Sequence, residues 1–361
     1  MYVAVKGGER AIDNAHRWLE DERRGDRKVT DLSVDQIKTQ LSLSIAKVMA
    51  EGSLFDPELA SLAIKQARGD LIEAIFLIRA YRTTLPRFGV GQPINTDKMI
   101  AKRRISATFK DIPGGQLLGP TFDYTHRLLD FKLLADGSID EFEPGKDTEQ
   151  MFQHVTQFLN NEGIIETEET SSSEEDSPDL TRQPLEIPAN RALRLQALTR
   201  SDEGFLLGMA YSTQRGFGRN HPFVGELRIG LISVEFEIPE LGFNIEIAEI
   251  EISECETVNQ FLGSKIHPPK FTRGYGFVFG QSERKAISMA LVDRALRWKV
   301  LGEVSDGAPA HDEEFVLYHG DNIQATGFVE HIKLPHYVDF QAELELIRKI
   351  RKTAFEAKKD E

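Results

Sequence analysis

The sequence predicts an α+β protein: a helical N-terminal unit, then a mixed α/β C-terminal domain that holds an antiparallel hairpin and ends in a long helix. Three observations predict it. Capped helical periodicities occupy the first hundred residues, alternating apolar residues flank the turn Pro239-Glu-Leu-Gly242, and the stretch from Asp339 onward returns to helical spacing with a basic end. The expected organisation is a helical docking unit over 1–100, a glycine-punctuated turn segment over 101–160, an acidic mobile linker or insertion over 161–188, and a mixed α+β domain over 189–361.

In chain order, Ser33-Val-Asp-Gln36 is a capping box ahead of Ile37, Leu41, Ile45 and Val48, a helix that closes at Gly52. Asp56-Pro57 supplies a cap and a proline at the first helical position, and Gly69 closes that helix before Asp70 opens another through Ile72, Ile75, Ile78 and Tyr81. From Arg103 to Asp130 the glycines and prolines are too frequent for a long helix, and ordered turns are expected. Between Glu162 and Pro188 the acidic and serine content leaves too little apolar surface to offset chain entropy.

The alternations Leu227, Ile229, Leu231 and Phe243, Ile245, Ile247 make the hairpin, and a parity shift to Ile250 and Ile252 calls for a β-bulge near Ala248-Glu249. Phe271 to Phe279 reads as a strand, Ser282 as the cap of a helix through Ala286, Met289 and Leu296, and Glu314 to Tyr318 as a further strand. In the last helix Leu344, Ile347 and Ile350 share a face, and Arg348, Lys349, Arg351 and Lys352 suit its C-terminal dipole.

Composition narrows the function. Against 44 basic residues stand 58 acidic ones, a net charge of −14 that opposes non-specific binding of DNA. No run of 18 uncharged apolar residues is present, so no membrane span is expected, and the N-terminus lacks a secretory pattern, which predicts the cytoplasm. The single cysteine, Cys255, sits among Glu251, Glu254 and Glu256, which disfavour a thiolate, and reads as structural.

Several groups carry candidate chemistry, each beside a plainer reading. His331 and His336 are close in sequence around Pro335, so a turn can aim both imidazoles at one metal, but a zinc site wants at least three protein ligands. His319 and Asp321 are candidates to complete it; a helix cap explains Asp321 equally well. The stretch from Thr272 to Lys285, with Arg273, Gly274 and Gly276, is a strand running into a helix start whose N–H groups can hold a phosphate, or else a strand whose small residues allow close packing. Arg215, Arg219 and His221 lie in one glycine-containing loop able to grip an oxyanion and move a proton, or simply exposed. Arg103 and Arg104 precede the glycine turns, and Asp123 with His126 are either an acid–base pair or loop ties.

Five blocks, Met1 to Gly8, Arg103 to Thr121, Tyr211 to Phe223, Phe271 to Gly276 and Leu334 to Leu346, closely resemble one family: the I subunit of the bacterial carbon–phosphorus lyase system, a group of phosphonate-metabolism proteins. The resemblance runs nearly end to end and is weakest in the acidic region. It implies displacement of adenine from the anomeric carbon of ATP by an alkylphosphonate, giving α-D-ribose 1-methylphosphonate 5-triphosphate, with purine nucleosidase action on ATP or GTP when the subunit is alone. It implies partner subunits G, H, J and L, and a zinc ion held by His331 and His336 where the chain meets J. With that activity, Arg103, Arg104 and Arg273, with Gly274 and Gly276, are expected at the anionic groups of the ATP, and Arg215, Arg219 and His221 around the nucleophile or departing base. The alternative is a non-catalytic scaffold that helps the radical lyase subunit form the zinc site.

Overall fold

The structure, a computed structural model, describes residues 8–134, 153–167, 178–218, 220–238 and 240–357. These form a mixed α+β fold in two compact units, Thr30–Asn322 and Met1–Val29 with Ile323–Glu361.

The larger unit is built on one antiparallel sheet in the order β1 (Ile100–Ile105), β2 (Phe223–Ile238), β3 (Phe243–Phe261) and β4 (Lys270–Phe279). The hairpin of β2 and β3 has the turn the sequence predicts, with Gly242 at φ +70°. Its bulge falls one residue before the expected place: Val234 pairs with Ala248 and Glu235 with Glu246, leaving Ile247 as the inserted residue. That insertion flips side-chain parity, so Ile245 and Ile250 both serve the sheet.

The two faces of the sheet differ sharply. Leu227, Cys255 and Val278 face α9 (Glu283–Leu296), where they meet Ala286, Met289 and Ala290 in the main apolar core. Helix α9 lies so close to β4 that a Cβ on Gly274 would fall 1.9 Å from the Ala290 carbonyl oxygen, and one on Gly276 2.0 Å from that of Ala286. Two glycines at alternate positions of the strand are therefore what lets the helix backbone settle there.

The outward edge of β4 is clothed by side chains and loop backbone. Glu166 Oε1 accepts from Arg273 N and Asp293 Oδ2 from Tyr275 N, while Arg297 donates to the Arg273 carbonyl and Thr199 to that of Phe277. Ile164 and Glu166 close the Phe271 end. Sequence reading gives the strand but not this cover, which comes from α9, from α7 (Arg191–Arg200) and from the segment after α6 (Thr156–Asn161).

Ahead of the sheet stand α2 (Val34–Gln40), α3 (Ser42–Gly52), α4 (Pro57–Gln66) and α5 (Leu71–Arg82). The capping box at Ser33 and Gln36 is present, as are the side-chain caps of Asp56 and Asp70. One helix through Gly52 was expected, but Leu41 leaves the helical region (φ −117°, ψ 39°) and divides α2 from α3. Other corrections concern residues 103–130 and 313–319. Arg103, Arg104 and Ile105 belong to β1, not to turns, because their backbone pairs with β2. Glu314 to Tyr318 is not a strand but part of α10 (Glu313–His319), since the Asp312 side chain caps Phe315 N and acidic residues fill the first turn. Ser282 stands at the N-cap of α9 without a side-chain cap bond; its N–H instead donates to Ser253 Oγ. Helices α7 and α8 (Glu203–Gln214) went unpredicted.

The smaller unit contains α1 (Gly8–Arg24), nearly all of α11 (Asn322–His331) and α12 (Tyr337–Ala357). Trp18, Phe328, Val338, Phe340 and Ile350 are exposed on these helices. No helix of the described residues is long and apolar enough to cross a membrane.

Candidate functional site

The second face of the sheet carries charge where a core is expected. Arg104, Glu226, Arg228, Glu254, Glu256, Arg273 and Tyr275 share this face because Arg104 pairs with Arg228, Arg228 with Glu254, Glu226 with Glu256, and Glu256 with Tyr275 across the four strands. Arg104 Nε meets Glu226 at 2.6 Å, Arg228 Nη2 meets Glu254 at 2.6 Å, and Arg273 Nη1 meets Glu256 at 3.2 Å. The Tyr275 hydroxyl donates to Glu254 Oε1 at 2.8 Å. Five of these seven side chains are under 4% exposed, so each charge survives only by being paired and hydrogen-bonded. Burial alone would raise Glu226, but His154, Arg228 and Arg104 pull it below the usual carboxylate range. Apolar groups close both ends of the array: Met99, Ile232, Ile250 and Ile252 on one side, and Leu159, Ile165 and Val258 on the other.

His154, Val155 and Thr156 lie over the array at the start of α6. Val155 N donates to Glu226 Oε2, and the Thr156 hydroxyl donates to Glu256. His154 is the titrating member. Arg228 Nη2 lies 2.6 Å from its Nε2 and can donate only to a lone pair, so the ring as placed is neutral with its proton on Nδ1, 3.3 Å from Glu226. Burial also disfavours the imidazolium. Glu226, Glu256 and Glu254 outweigh burial and Arg228, and raise the His154 pKa above its ordinary value. A second proton would go to Nε2, where Thr96 Oγ1 at 3.1 Å and Asp97 at 3.6 Å lie beside it, and would displace the Arg228 contact.

A stability effect follows with a definite sign. A histidine whose folded-state pKa is raised contributes fully below the unfolded value and loses that contribution as pH rises through the folded one. Urea midpoints of the wild type should fall between about pH 6 and 8, and His154→Gln should flatten that slope. Equal slopes for the two proteins would mean that His154 does not titrate there.

Beside the array, β4 turns its aromatic side chains to a cavity of about 330 Å³ lined by Tyr275, Phe277, Phe279, Leu195, Met289 and Arg200. Tyr275 belongs to both features: its ring walls the cavity and its hydroxyl enters the charged array. Burial, then Glu254, pushes its pKa well above the ordinary tyrosine value, so it stays protonated.

The sequence-predicted residues divide among several places. Arg104 and Arg273 lie in the array, each already engaged with a glutamate. Arg103 points to the opposite face, where it bonds Asp123, Glu283 and the Leu118 carbonyl, so Asp123 is a loop tie. Gly274 and Gly276 face α9, which fills the side on which a phosphate would lie; close packing accounts for both. Arg215 is exposed at the C-terminus of α8, bonded to the Tyr211 hydroxyl, and His221 is exposed beside the Phe223 ring at 4.9 Å. Arg219 lies outside the described residues. Cys255 is fully buried, with its pKa raised by burial and then by Glu256 and Glu254, in keeping with a structural role.

His331 ends α11 and His336 precedes α12, and the intervening turn brings their Nε2 atoms to 3.0 Å. Nδ1 of His336 lies 2.7 Å from the Leu334 carbonyl oxygen, which can only accept, so that nitrogen holds the proton and Nε2 presents a lone pair. Two imidazoles on a tetrahedral zinc hold their nitrogens about 3.3 Å apart, so this pair fits a shared metal. Among the described residues no group of three or more His, Cys, Asp or Glu side chains forms a metal cage. Asp321 is instead held by both nitrogen–oxygen contacts of Arg79 at 2.7 Å.

Comparison with known proteins bears on all of this. The family model for bacterial phosphonate metabolism protein (PhnI) matches residues 1–354. The chain belongs to the PhnI family. An α-D-ribose 1-methylphosphonate 5-triphosphate synthase subunit PhnI of Rhizobium meliloti (strain 1021) is 61% identical over 98% of the chain and 95% of its own length. The PhnI of Escherichia coli (strain K12), with the same description, is 57% identical over 97% of the chain and 98% of its length. A putative C-P lyase subunit protein HtxH of Stutzerimonas stutzeri is 41% identical over 96% and 95%. Sequence reading passed over His154 and Tyr275; no local motif marks His154, since its partners come from β2, from β3 and from the Thr96–Asp97 turn.

Proposed function

We propose that this chain is the subunit of the carbon–phosphorus lyase system that transfers an alkylphosphonate to the anomeric carbon of ATP, releasing adenine and forming α-D-ribose 1-methylphosphonate 5-triphosphate. What carries the reading is the likeness, over nearly full length, to two proteins named as subunits of that synthase. When the chain acts alone, water replaces the phosphonate and the protein is a purine nucleosidase on ATP or GTP. It works in the cytoplasm with subunits G, H, J and L, and the exposed apolar residues of α1, α11 and α12 suit such partners.

Glycosidic displacement at ribose develops positive charge on the sugar and negative charge on the departing base. Glu254 and Glu256 supply a fixed negative field to one, and Tyr275 and His154 supply protonated groups to the other. Arg215 and His221 stand on the exposed loop between α8 and β2 and act on the incoming phosphonate. His331 and His336 would hold a zinc ion with a further ligand from J, and the metal would supply Lewis-acid chemistry toward an anionic oxygen.

The test is release of free adenine from ATP by the purified chain. Wild type should release it, and Tyr275→Phe should lower kcat by about a hundredfold, the usual scale for loss of one hydrogen-bond donor at a reacting centre. A folded chain that releases no adenine, alone or with G, H, J and L added, would overturn the reading in favour of a scaffold.

A further inference from the structure

The cavity beside Tyr275 has an unusual mouth. Arg200 lines it, with Arg79, Arg82, Asp179 and Asp321 close enough to act on its charge, and Arg82 in turn has Arg87, Arg182 and Asp179 near it. Asp321 is taken by Arg79 at 2.7 Å and lies 3.8 Å from Arg200. Asp179 lies 3.5 Å from Arg87 and 3.8 Å from Arg182, and it also accepts from Thr181, itself a lining residue. Among the described residues the guanidinium groups of Arg82 and Arg200 make no hydrogen bond.

Five guanidinium groups thus meet two carboxylates, a local positive excess in a chain of net charge −14. Arg200 bears the strain: burial, then Arg79, pushes its pKa down to about 10. Such crowding has a cost in the free protein and is relieved by an anion with several oxygens. Behind the arginines the cavity is apolar and aromatic, and its volume of about 330 Å³ lies within the range, roughly 300 to 1,000 Å³, of small-molecule sites.

We infer that this cavity is the binding site for the purine nucleoside triphosphate, with the base against Tyr275, Phe277 and Phe279 and the phosphates on Arg200, Arg82 and Arg182. The inference rests on the reading above that the chain acts on such a nucleotide. It moves the phosphate site away from Arg103, Arg104 and Arg273, whose guanidinium groups are engaged with glutamates. It also sets the glycosidic bond near Tyr275, whose hydroxyl leads to Glu254 and His154.

The experiment is equilibrium binding of aristeromycin triphosphate, whose carbocycle cannot form an oxocarbenium ion, beside a separate assay of adenine release from ATP. Arg200→Ala should weaken binding about tenfold or more, the usual scale for charge-assisted bonds. Arg182→Glu, a change at a half-exposed rim residue that leaves the core intact, should weaken the triphosphate strongly and free aristeromycin little. Leu195→Trp, which fills the cavity, should weaken both.

Wild-type binding that is unchanged in all three variants would overturn this site even if adenine were still released, leaving the proposed activity standing. Binding that falls in the variants while wild type releases no adenine, with or without partners, would uphold the site and remove the activity. No binding by folded wild-type chain would overturn the site.

Discussion

Glu226→Ala should destabilise the protein by about 3–5 kcal/mol, the range for removing one partner from a buried ion pair. Glu226 accepts from Arg104 and Val155 N, and His154 lies against it. Its loss leaves the Arg104 and Arg228 charges with less compensation, both at 2% exposure or below. Replacing the pair together, as in Arg104→Met with Glu226→Leu, should recover most of the loss, because matched apolar groups leave no stranded charge. Urea denaturation of Glu226→Ala and of the double variant measures this directly. A single variant within about 1 kcal/mol of wild type would mean that water reaches the array and that the charges are not held as described.

Gly274→Ala should be nearly as damaging, at about 3 kcal/mol or more, although it adds one methyl group. That methyl would lie 1.9 Å from a backbone oxygen of α9, and 2.6 Å from Thr257 Oγ1, so the helix itself must shift. Gly208 is the matched control. It lies inside α8 with nothing within 4 Å of its added Cβ, and Gly208→Ala should stabilise the protein by about 0.5–1 kcal/mol through helix propensity. Thermal melts of the two variants should move in opposite directions. Equal shifts would show that α9 does not press on β4 at Gly274.

How much of this was legible beforehand depended on range. Local chemistry read well: the capping box at Ser33, the cap at Asp56 and the hairpin around Gly242 each involve residues a few positions apart, and all three are present. Glu314 to Tyr318 misled because the short apolar run Phe315 to Tyr318 fits either a strand or a helix, and the Asp312 cap decides between them. Of the charged array only Arg104 and Arg273 stood out in the sequence. Its glutamates look there like the solvent face of an exposed hairpin, and it is the distant segment His154–Thr156 that lies over them. His331 and His336 are the opposite case: their convergence follows from the turn at Pro335, and the structure brings them to hydrogen-bonding distance.

The clothed edge of β4 has a consequence for how the chain waits for its partners. A bare strand edge is an invitation to another molecule of the same kind, and a subunit synthesised before its complex assembles is most exposed to that hazard. Here the outward groups of Phe271, Arg273, Tyr275 and Phe277 are occupied by Ile164, Glu166, Arg297, Asp293 and Thr199. At the far side of the sheet Leu117 exchanges both backbone bonds with Arg104 of β1. Strand addition is thereby blocked along β4, and a neighbour on that side has to be recognised through the side chains and loops that cover it.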